Sequence, residues 1–432
     1  MIVVGVGIPQ GATVTEVNGT AITISAATTA AAVSPESVSF VLTGQPPTYA
    51  DSSITPISMI DNGLQMVIVN GSASGWYVTL MGHNFNVLYD PSFQGADRVD
   101  YVDTFFLFNT PGTPNWYSSL SLSVLFDPLY TADKEGSSDL LSTLIVCRRW
   151  IWLLGQRTSE VWYNAGTADF PFAIMPGEFV EHGITAKYTV AKYDDSVYWL
   201  TTDKDGKGIV VKGLWGNVQR ISTWAIEAEF NKYTDFDQAV GMTYQQDGHA
   251  FYVLTFRQAN KTWVYDISTS QWHEWVALDA NGQENCHQAV AMTYAWGKNL
   301  CQDYATGRIF WLDPNYYQDD LTGLPIERRR GFPHVTQDGK RRTVWSFVAD
   351  VSVGNQTDSI QPPLLNFRYS ITRGASWSTT MTNGLGNTGQ YDHSVQFQRL
   401  GSARDWVFEV FWSGADFTTL NGAWIETQQG ES

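Results

Sequence analysis

Three carboxylate pairs are the first candidates for chemistry in this chain: Asp100/Asp103, Asp194/Asp195 and Asp319/Asp320. Two carboxylates about 5–10 Å apart across a sugar can hydrolyse a glycosidic bond, one as acid and the other as base or nucleophile. The local sequence argues against that use. Asp194-Asp195 falls in a Tyr-Asp-Asp-Ser turn, where Asp side chains bond their own backbone. Asp100 and Asp103 flank Tyr101-Val102 on a strand and can equally face solvent. His83, His182, His249, His273, His287, His334 and His393 show no metal-ligand spacing beyond the adjacent Cys286-His287. Neighbours in a strand point to opposite faces and cannot readily share a metal. Gly384 and Gly386 lack the following helix that a phosphate loop requires. No Gly-x-Ser-x-Gly elbow or Walker motif occurs. The sequence therefore assigns no catalytic, cofactor-binding or metal-ligating residue.

Charge narrows the partners. The chain has 432 residues and a net charge of −17. Affinity for nucleic-acid phosphate comes from Lys and Arg, so this is a poor general nucleic-acid binder. One cluster departs from that balance: Arg328, Arg329, Arg330, Lys340, Arg341 and Arg342 frame a polar loop. It is either a solvated loop or a contact for DNA or an acidic partner subunit. Before Arg98 there is no Lys or Arg, while Glu16, Glu36, Asp51, Asp61, Asp90 and Asp97 are present. A start without basic residues implies neither a signal peptide nor a transit peptide. No run of about 18 apolar residues suggests a membrane helix. Cys147, Cys286 and Cys301 are too few and odd in number for a disulfide framework, and read as reduced strand thiols in a chain made in a cytoplasm.

The elements that would position these residues are short strands. Trp150–Leu154 and Val161–Tyr163, separated by Gly155–Ser159, read as a hairpin. It is one of a series. Comparable runs begin at Val67, Phe105, Ile151, Val197, Phe251 and Leu300, in steps of 38, 46, 46, 54 and 49 residues. Each is followed by a second run: Trp76-Tyr77, Trp116-Tyr117, Trp162-Tyr163, Val210-Val211, Trp263-Val264-Tyr265 and Phe310-Trp311. An earlier strand recurs almost identically as Ala239-Val-Gly-Met-Thr-Tyr244 and Ala289-Val-Ala-Met-Thr-Tyr294. A period of about 40–50 residues with three or four strands per unit is the pattern of a β-propeller. The expected fold is all-β. It comprises an N-terminal β module (residues 1–55), with a hairpin at Asn18-Gly19, and a β-propeller of about six blades (56–320). A C-terminal antiparallel, sandwich-like β domain (321–432) follows, with a loose tail from Gln428. Trp150, Trp152, Trp162 and Tyr163 are expected to pack between blades.

Ser370-Ile-Thr-Arg-Gly-Ala-Ser-Trp377 resembles the Asp-box turn of sialidase-like propellers, with Thr372 in place of its Asp, and marks a hairpin only. A wider resemblance runs in pieces from about residue 140 to 427. It is carried by Gly155–Gly166, by Gly183-Ile-Thr185 with Asp194–Tyr198, and by Trp263–Ser268 with Gln271-Trp272. Thr306–Phe310, Arg399-Leu-Gly401 and Leu420–Ala423 continue it. These blocks resemble the packaged-DNA stabilisation proteins of short-tailed bacteriophages, the tail accessory factors that form a tail nozzle or knob. The resemblance implies a non-enzymatic virion protein without cofactor or membrane insertion. It implies a homo-hexameric ring below the portal and adaptor. Such a ring would close the tail channel over packaged DNA, conduct the DNA during ejection without sequence recognition, and dock tail fibres or spikes. The second reading is a propeller that binds or hydrolyses carbohydrate as a receptor-binding tail protein.

Overall fold

Along the strand Trp150–Gly155, successive side chains enter two different cores. Ile151 and Leu153 pack with Val102, Leu107 and Trp116 of the preceding sheet. Trp152 and Leu154 pack with Val197, Trp199, Ile209 and Val211 of the following one. Alternation sends neighbours to opposite faces, and here both faces are covered, so the strand reads as one continuous apolar run. The same rule shapes the sheet before it. Phe106 and Phe108 face Val67 and Val69, whereas Leu107 faces the other way.

The computed structural model describes residues 56–352, 364–414 and 418–429, except residues 168, 235, 280, 305, 320–322, 337–338 and 388. Before residue 56 it describes only the strands Ile2–Val4, Val14–Asn18, Ala21–Ile24 and Ser39–Val41. Most of the 1–55 module and Asp320 of the third carboxylate pair thus lie outside the described residues. Within that module, Val14–Asn18 and Ala21–Ile24 pair antiparallel with Asn18 opposite Ala21, the register expected of a hairpin at Asn18-Gly19. Ile2–Val4 pairs with Ser39–Val41.

The chain divides into two compact units, residues 1–254 with 267–270, and residues 255–266 with 271–432. In the first unit, four antiparallel meanders follow one another, each with strand order equal to chain order. They comprise Ser58–Asp61, Gln65–Val69, Gly75–Thr79 and Asn84–Val87; then Val99–Val102, Phe105–Asn109, Asn115–Ser119 and Phe126–Asp133. The third is Leu141–Cys147, Trp150–Gly155, Ser159–Asn164 and Phe172–Val180; the fourth is Ala191–Tyr193, Ser196–Thr202, Gly208–Leu214 and Asn217–Arg220. Trp224–Phe230 is the one α-helix among the described residues, and it buries Ile226 and Phe230. Val240–Gln246 and the first part of His249–Phe256 complete this unit. The first strands of successive sheets lie side by side, from Ser58–Asp61 through Val240–Gln246. That is the radial order of a propeller, with each sheet a blade.

In the second unit, Lys261–Asp266, Gln271–Leu278 and Glu284–Cys286 pair in order. Ala289–Ala295, Lys298–Asp303 and Ile309–Leu312 form a three-stranded sheet. All six recurrent runs of the sequence fall on the second strand of a meander, and all six partners on the third. The C-terminal part is a two-sheet sandwich. One sheet has the order Glu327–Gly331, Asp405–Ser413, Leu364–Ser370, Met381–Gly384, with Val335–Thr336 also paired to the second. The other has the order Val395–Ala403, Arg342–Val351, Leu420–Gln429. Phe347, Phe367, Phe397, Trp406 and Phe408 fill the space between them. Two expectations need correction. The stretch between the two basic runs carries the short strand Val335–Thr336, so it is not simply a polar loop. The chain at Gln428 and Gln429 is not loose: these residues pair with Thr343 and Arg342 in the second sheet.

Candidate functional site

The carboxylates of the first two pairs sit on the first strands of the blades and in the turns that follow. Asp103, at φ 43°, occupies the turn after Val99–Val102, and Asp194, at φ 53°, the turn after Ala191–Tyr193. Asp tolerates this left-handed conformation because its short side chain bonds locally. The equivalent turn of the blade between them carries Arg148 and Arg149. Arg149 Nη2 donates to Asp103 at 2.7 Å, 46 residues back. Arg148 reaches the other way, 46 residues forward to Asp194, and also pairs with Asp195. One turn thus ties the blades on both sides of it. These pairs are largely exposed, so each contributes little to stability and much to register.

Asp100 is not solvent-facing, as its strand position allowed; it is 4% exposed. Its Oδ2 accepts the Val146 backbone N–H at 2.8 Å, from the first strand of the next blade. Lys192 Nζ, 92 residues on and two blades away, donates to both Asp100 oxygens at 3.2–3.3 Å. It also donates to the Val146 carbonyl at 2.7 Å. Asp97, three residues earlier, makes a similar tie. Its Oδ1 accepts Asn109 Nδ2 at 2.6 Å and its Oδ2 accepts Lys187 Nζ at 2.6 Å, 90 residues away. Burial alone would lower the Lys187 pKa, but the hydrogen bond and charge of Asp97 outweigh it and leave it raised. Between these two carboxylates lies Arg98, whose pKa burial lowers despite Asp100 and Asp97. Two acids and two lysines thus join the second blade to the fourth across the first strand of the third.

This arrangement fixes what the carboxylates can do. Asp100 and Asp103 do not face one another across a substrate: one is bound to backbone and Lys192, the other to Arg149. Asp194 and Asp195 share Arg148. Asp319 lies in the second unit, in a turn where its backbone N–H bonds the Leu324 carbonyl. Among the described residues no group of three or more His, Cys, Asp or Glu is placed to hold a metal. Cys147, Cys286 and Cys301 are all buried and free. The Ser370–Trp377 segment is a turn in which Thr372 Oγ1 accepts the Ser376 N–H at 2.8 Å, doing the work of the missing Asp.

The structure separates the six basic residues into two groups. Arg328 donates to the Thr418 hydroxyl at 3.3 Å and lies 5.2 Å from the Tyr317 ring centre. Burial lowers its pKa. Arg329 pairs with Glu284 at 3.2 Å and Glu327 at 2.5 Å, and lies over Phe411. Both guanidinium groups are engaged within the second unit. Arg330, Lys340 and Arg341 are exposed, and Arg342 is half-buried at the start of its strand.

The comparisons with known proteins address the blades. The family described as "Bacteriophage P22 Gp10, beta-propeller" matches residues 48–317. The chain belongs to this family. The match covers more than half of the chain, and it makes the meanders blades of a propeller in a phage structural protein. No curated protein matches. Several solved structures resemble the chain loosely. The N-terminal domain of Nup159 is 10% identical, with 59% of this chain and 72% of that one covered at a TM-score of 0.33. A putative 6-phosphogluconolactonase from Bacteroides uniformis ATCC 8492 is 10% identical, covering 59% and 83% at 0.36. Dihydro-heme d1 dehydrogenase NirN in complex with DHE is 10% identical, covering 60% and 53% at 0.37. Likenesses this loose carry no argument about activity.

Both lysine–aspartate ties fall inside the span matched by the Gp10 family, whereas all six basic residues of the 328–342 cluster fall beyond it. So do the blocks Arg399-Leu-Gly401 and Leu420–Ala423. The match also begins at residue 48, well before the first block in which the sequence resembles the family. Sequence reasoning missed Lys187 and Lys192. The signal that would have found the Arg148 and Arg149 pairs was present: their 46-residue offsets equal the step between the runs at Phe105, Ile151 and Val197. It also missed Trp215. Trp152 and Trp162 pack between blades, at 2% and 6% exposure. Trp150 and Tyr163 are only half-buried, and Trp150 meets the exposed Trp215 with ring centres 5.9 Å apart.

Proposed function

We propose that this Gp10-family chain forms the tail nozzle of a short-tailed phage. It would assemble as a homo-hexamer below the adaptor, retain packaged DNA, conduct it on ejection, and carry fibres or spikes. In this reading residues 1–55 are an N-terminal β module, 56–320 the propeller and 321–432 the C-terminal sandwich. The observation that carries it is the use made of the carboxylates. Asp100, Asp103, Asp194 and Asp195 are all taken up by lysine, arginine or backbone N–H groups that join one blade to another. A glycosidase needs such groups facing a substrate; a rigid structural ring needs them where they are. The net charge of −17 fits a conduit that does not grip DNA by its phosphates. The mass of the assembled protein, with imaging of the tail, tests this: a six-fold ring is expected. A chain that stays monomeric beside its adaptor, or that hydrolyses a glycan, would overturn it.

A further inference from the structure

The pairing of the sandwich strands gathers cations that the sequence spreads from Lys340 to Arg404. Arg342 opposes Ala403, so Lys340 and Arg341 enter their strand beside Arg404, which links the strands ending at Ala403 and beginning at Asp405. Thr336 opposes Asp405 on the other sheet. Asp405, the carboxylate at this end, is already taken: Arg373 Nε donates to it at 2.9 Å and His334 Nδ1 lies 2.8 Å away. Arg373 is 79% exposed, and Lys340, Arg341 and Arg404 are exposed as well. One end of the sandwich is therefore strongly basic in a chain whose net charge is −17.

The same sandwich exposes apolar groups. Arg342–Val351 bulges between Val344 and Ser346 against Leu420–Gln429, whose partners Thr427 and Glu426 are consecutive. A bulge inserts one extra residue and re-aims its side chain, and here that residue is Trp345, which is 54% exposed. Ile371, two positions before Arg373, is 55% exposed. Exposed Trp and Arg on one sandwich fit a protein–protein contact, where both are enriched and Lys is depleted. Contact with DNA backbone alone needs charge and no Trp.

We infer that this end of the sandwich, with Lys340, Arg341, Arg373 and Arg404 and the exposed Trp345 of the strand that follows, is the face by which one copy grips an acidic surface of the next. The inference rests on the ring reading and deepens it. A ring is built from heterologous contacts, in which two different patches of identical subunits meet. A subunit of net charge −17 with one basic end offers opposite charges to such a contact, and opposite charges fix its register.

The test is assembly of the full chain, wild type against Lys340→Glu/Arg341→Glu/Arg404→Glu and, separately, Trp345→Ala. Assembly is followed by sedimentation and native mass measurement at two salt concentrations, with thermal melting as the check that each variant folds. Wild-type rings that weaken with salt, and a triple variant that melts normally but associates at least 100-fold more weakly, are expected. Trp345→Ala should weaken association at both salts. Wild-type rings accompanied by equally good variant rings would overturn this inference and leave the ring reading standing. A wild type that is monomeric throughout would overturn both. Variant rings that have lost salt-dependent binding to a duplex oligonucleotide would assign the cations to DNA and overturn the inference.

Discussion

Lys192 holds Asp100 from a strand 92 residues later, and between them runs the first strand of an intervening blade. The pair is therefore a tie across three blades. Asp100→Asn keeps the shape and removes the charge. Breaking a fully buried pair costs about 3–5 kcal/mol. Lys192 is 44% exposed and keeps part of its water, so a loss of about 2 kcal/mol and a Tm lower by ~5 °C are expected. Asp100→Asn and Lys192→Met should be non-additive by at least ~1 kcal/mol in a double-mutant cycle of thermal melts. Strict additivity would mean that the tie does not hold the blades.

The near-repeat of Ala239–Tyr244 and Ala289–Tyr294 differs at one position, Gly241 against Ala291. A Cβ on Gly241 would overlap the backbone of Thr189 in the preceding blade, whereas Ala291 is exposed. Gly241→Ala should destabilise by about 1–3 kcal/mol through overpacking against backbone that cannot yield. Ala291→Gly should cost only ~0.5–1 kcal/mol, by strand entropy. Denaturant titration of the two variants measures the contrast, and equal losses would contradict the packing described.

Trp152 lies against Trp199, with ring centres 5.9 Å apart, between the third and fourth blades. Trp152→Ala should cost about 3–5 kcal/mol. Trp215→Ala, at a site 57% exposed, should stay within ~0.5 kcal/mol. The second variant also probes the carbohydrate reading, since Trp215 with Trp150 and Tyr163 is the aromatic surface a sugar would stack on. A glycan array on which wild type binds and Trp215→Ala does not would favour that reading over the nozzle.

His287 contributes a pH dependence to the second unit. Its ring packs on Trp275 at 5.1 Å, and its Nδ1 accepts the Ala289 N–H at 3.2 Å. Burial pushes its pKa down to about 4 from 6.5. The folded form binds the proton less well than the unfolded chain, so protonation favours unfolding. Stability is intact above about pH 6.5 and should fall progressively as the pH drops towards 4. His287→Gln should flatten that part of the profile, as read from melting temperatures between pH 7 and 4. An unchanged slope would assign the acid sensitivity elsewhere.

Much of the fold was legible because blade strands obey simple rules. The runs at Phe105, Ile151 and Val197 are apolar throughout because both faces of those strands are covered, and their spacing gave the repeat. The site was less legible. Asp100 and Asp103 stood out as a pair only because they are close in sequence, but the partners that decide their roles, Lys192 and Arg149, come from other blades. Alternation within a strand says which face a side chain takes, not which blade it meets. The 328–342 cluster was visible as charge, yet Arg328 and Arg329 are engaged by Thr418 and Glu284, while Arg373 and Arg404 join the exposed end through strand pairing. Such groupings are properties of register between distant strands, which no local pattern encodes.

The ties also set a clock on synthesis. Asp100 leaves the ribosome 92 residues before Lys192, roughly 5–20 s earlier at bacterial elongation rates of about 5–20 residues per second. The Val146 N–H, 46 residues on, arrives at half that delay. A polypeptide cut short before Lys187 would enclose Asp97 and Asp100 without their lysines, and a carboxylate enclosed without its counter-ion opposes folding. Chains that end before the fourth blade are thereby left open to proteolysis.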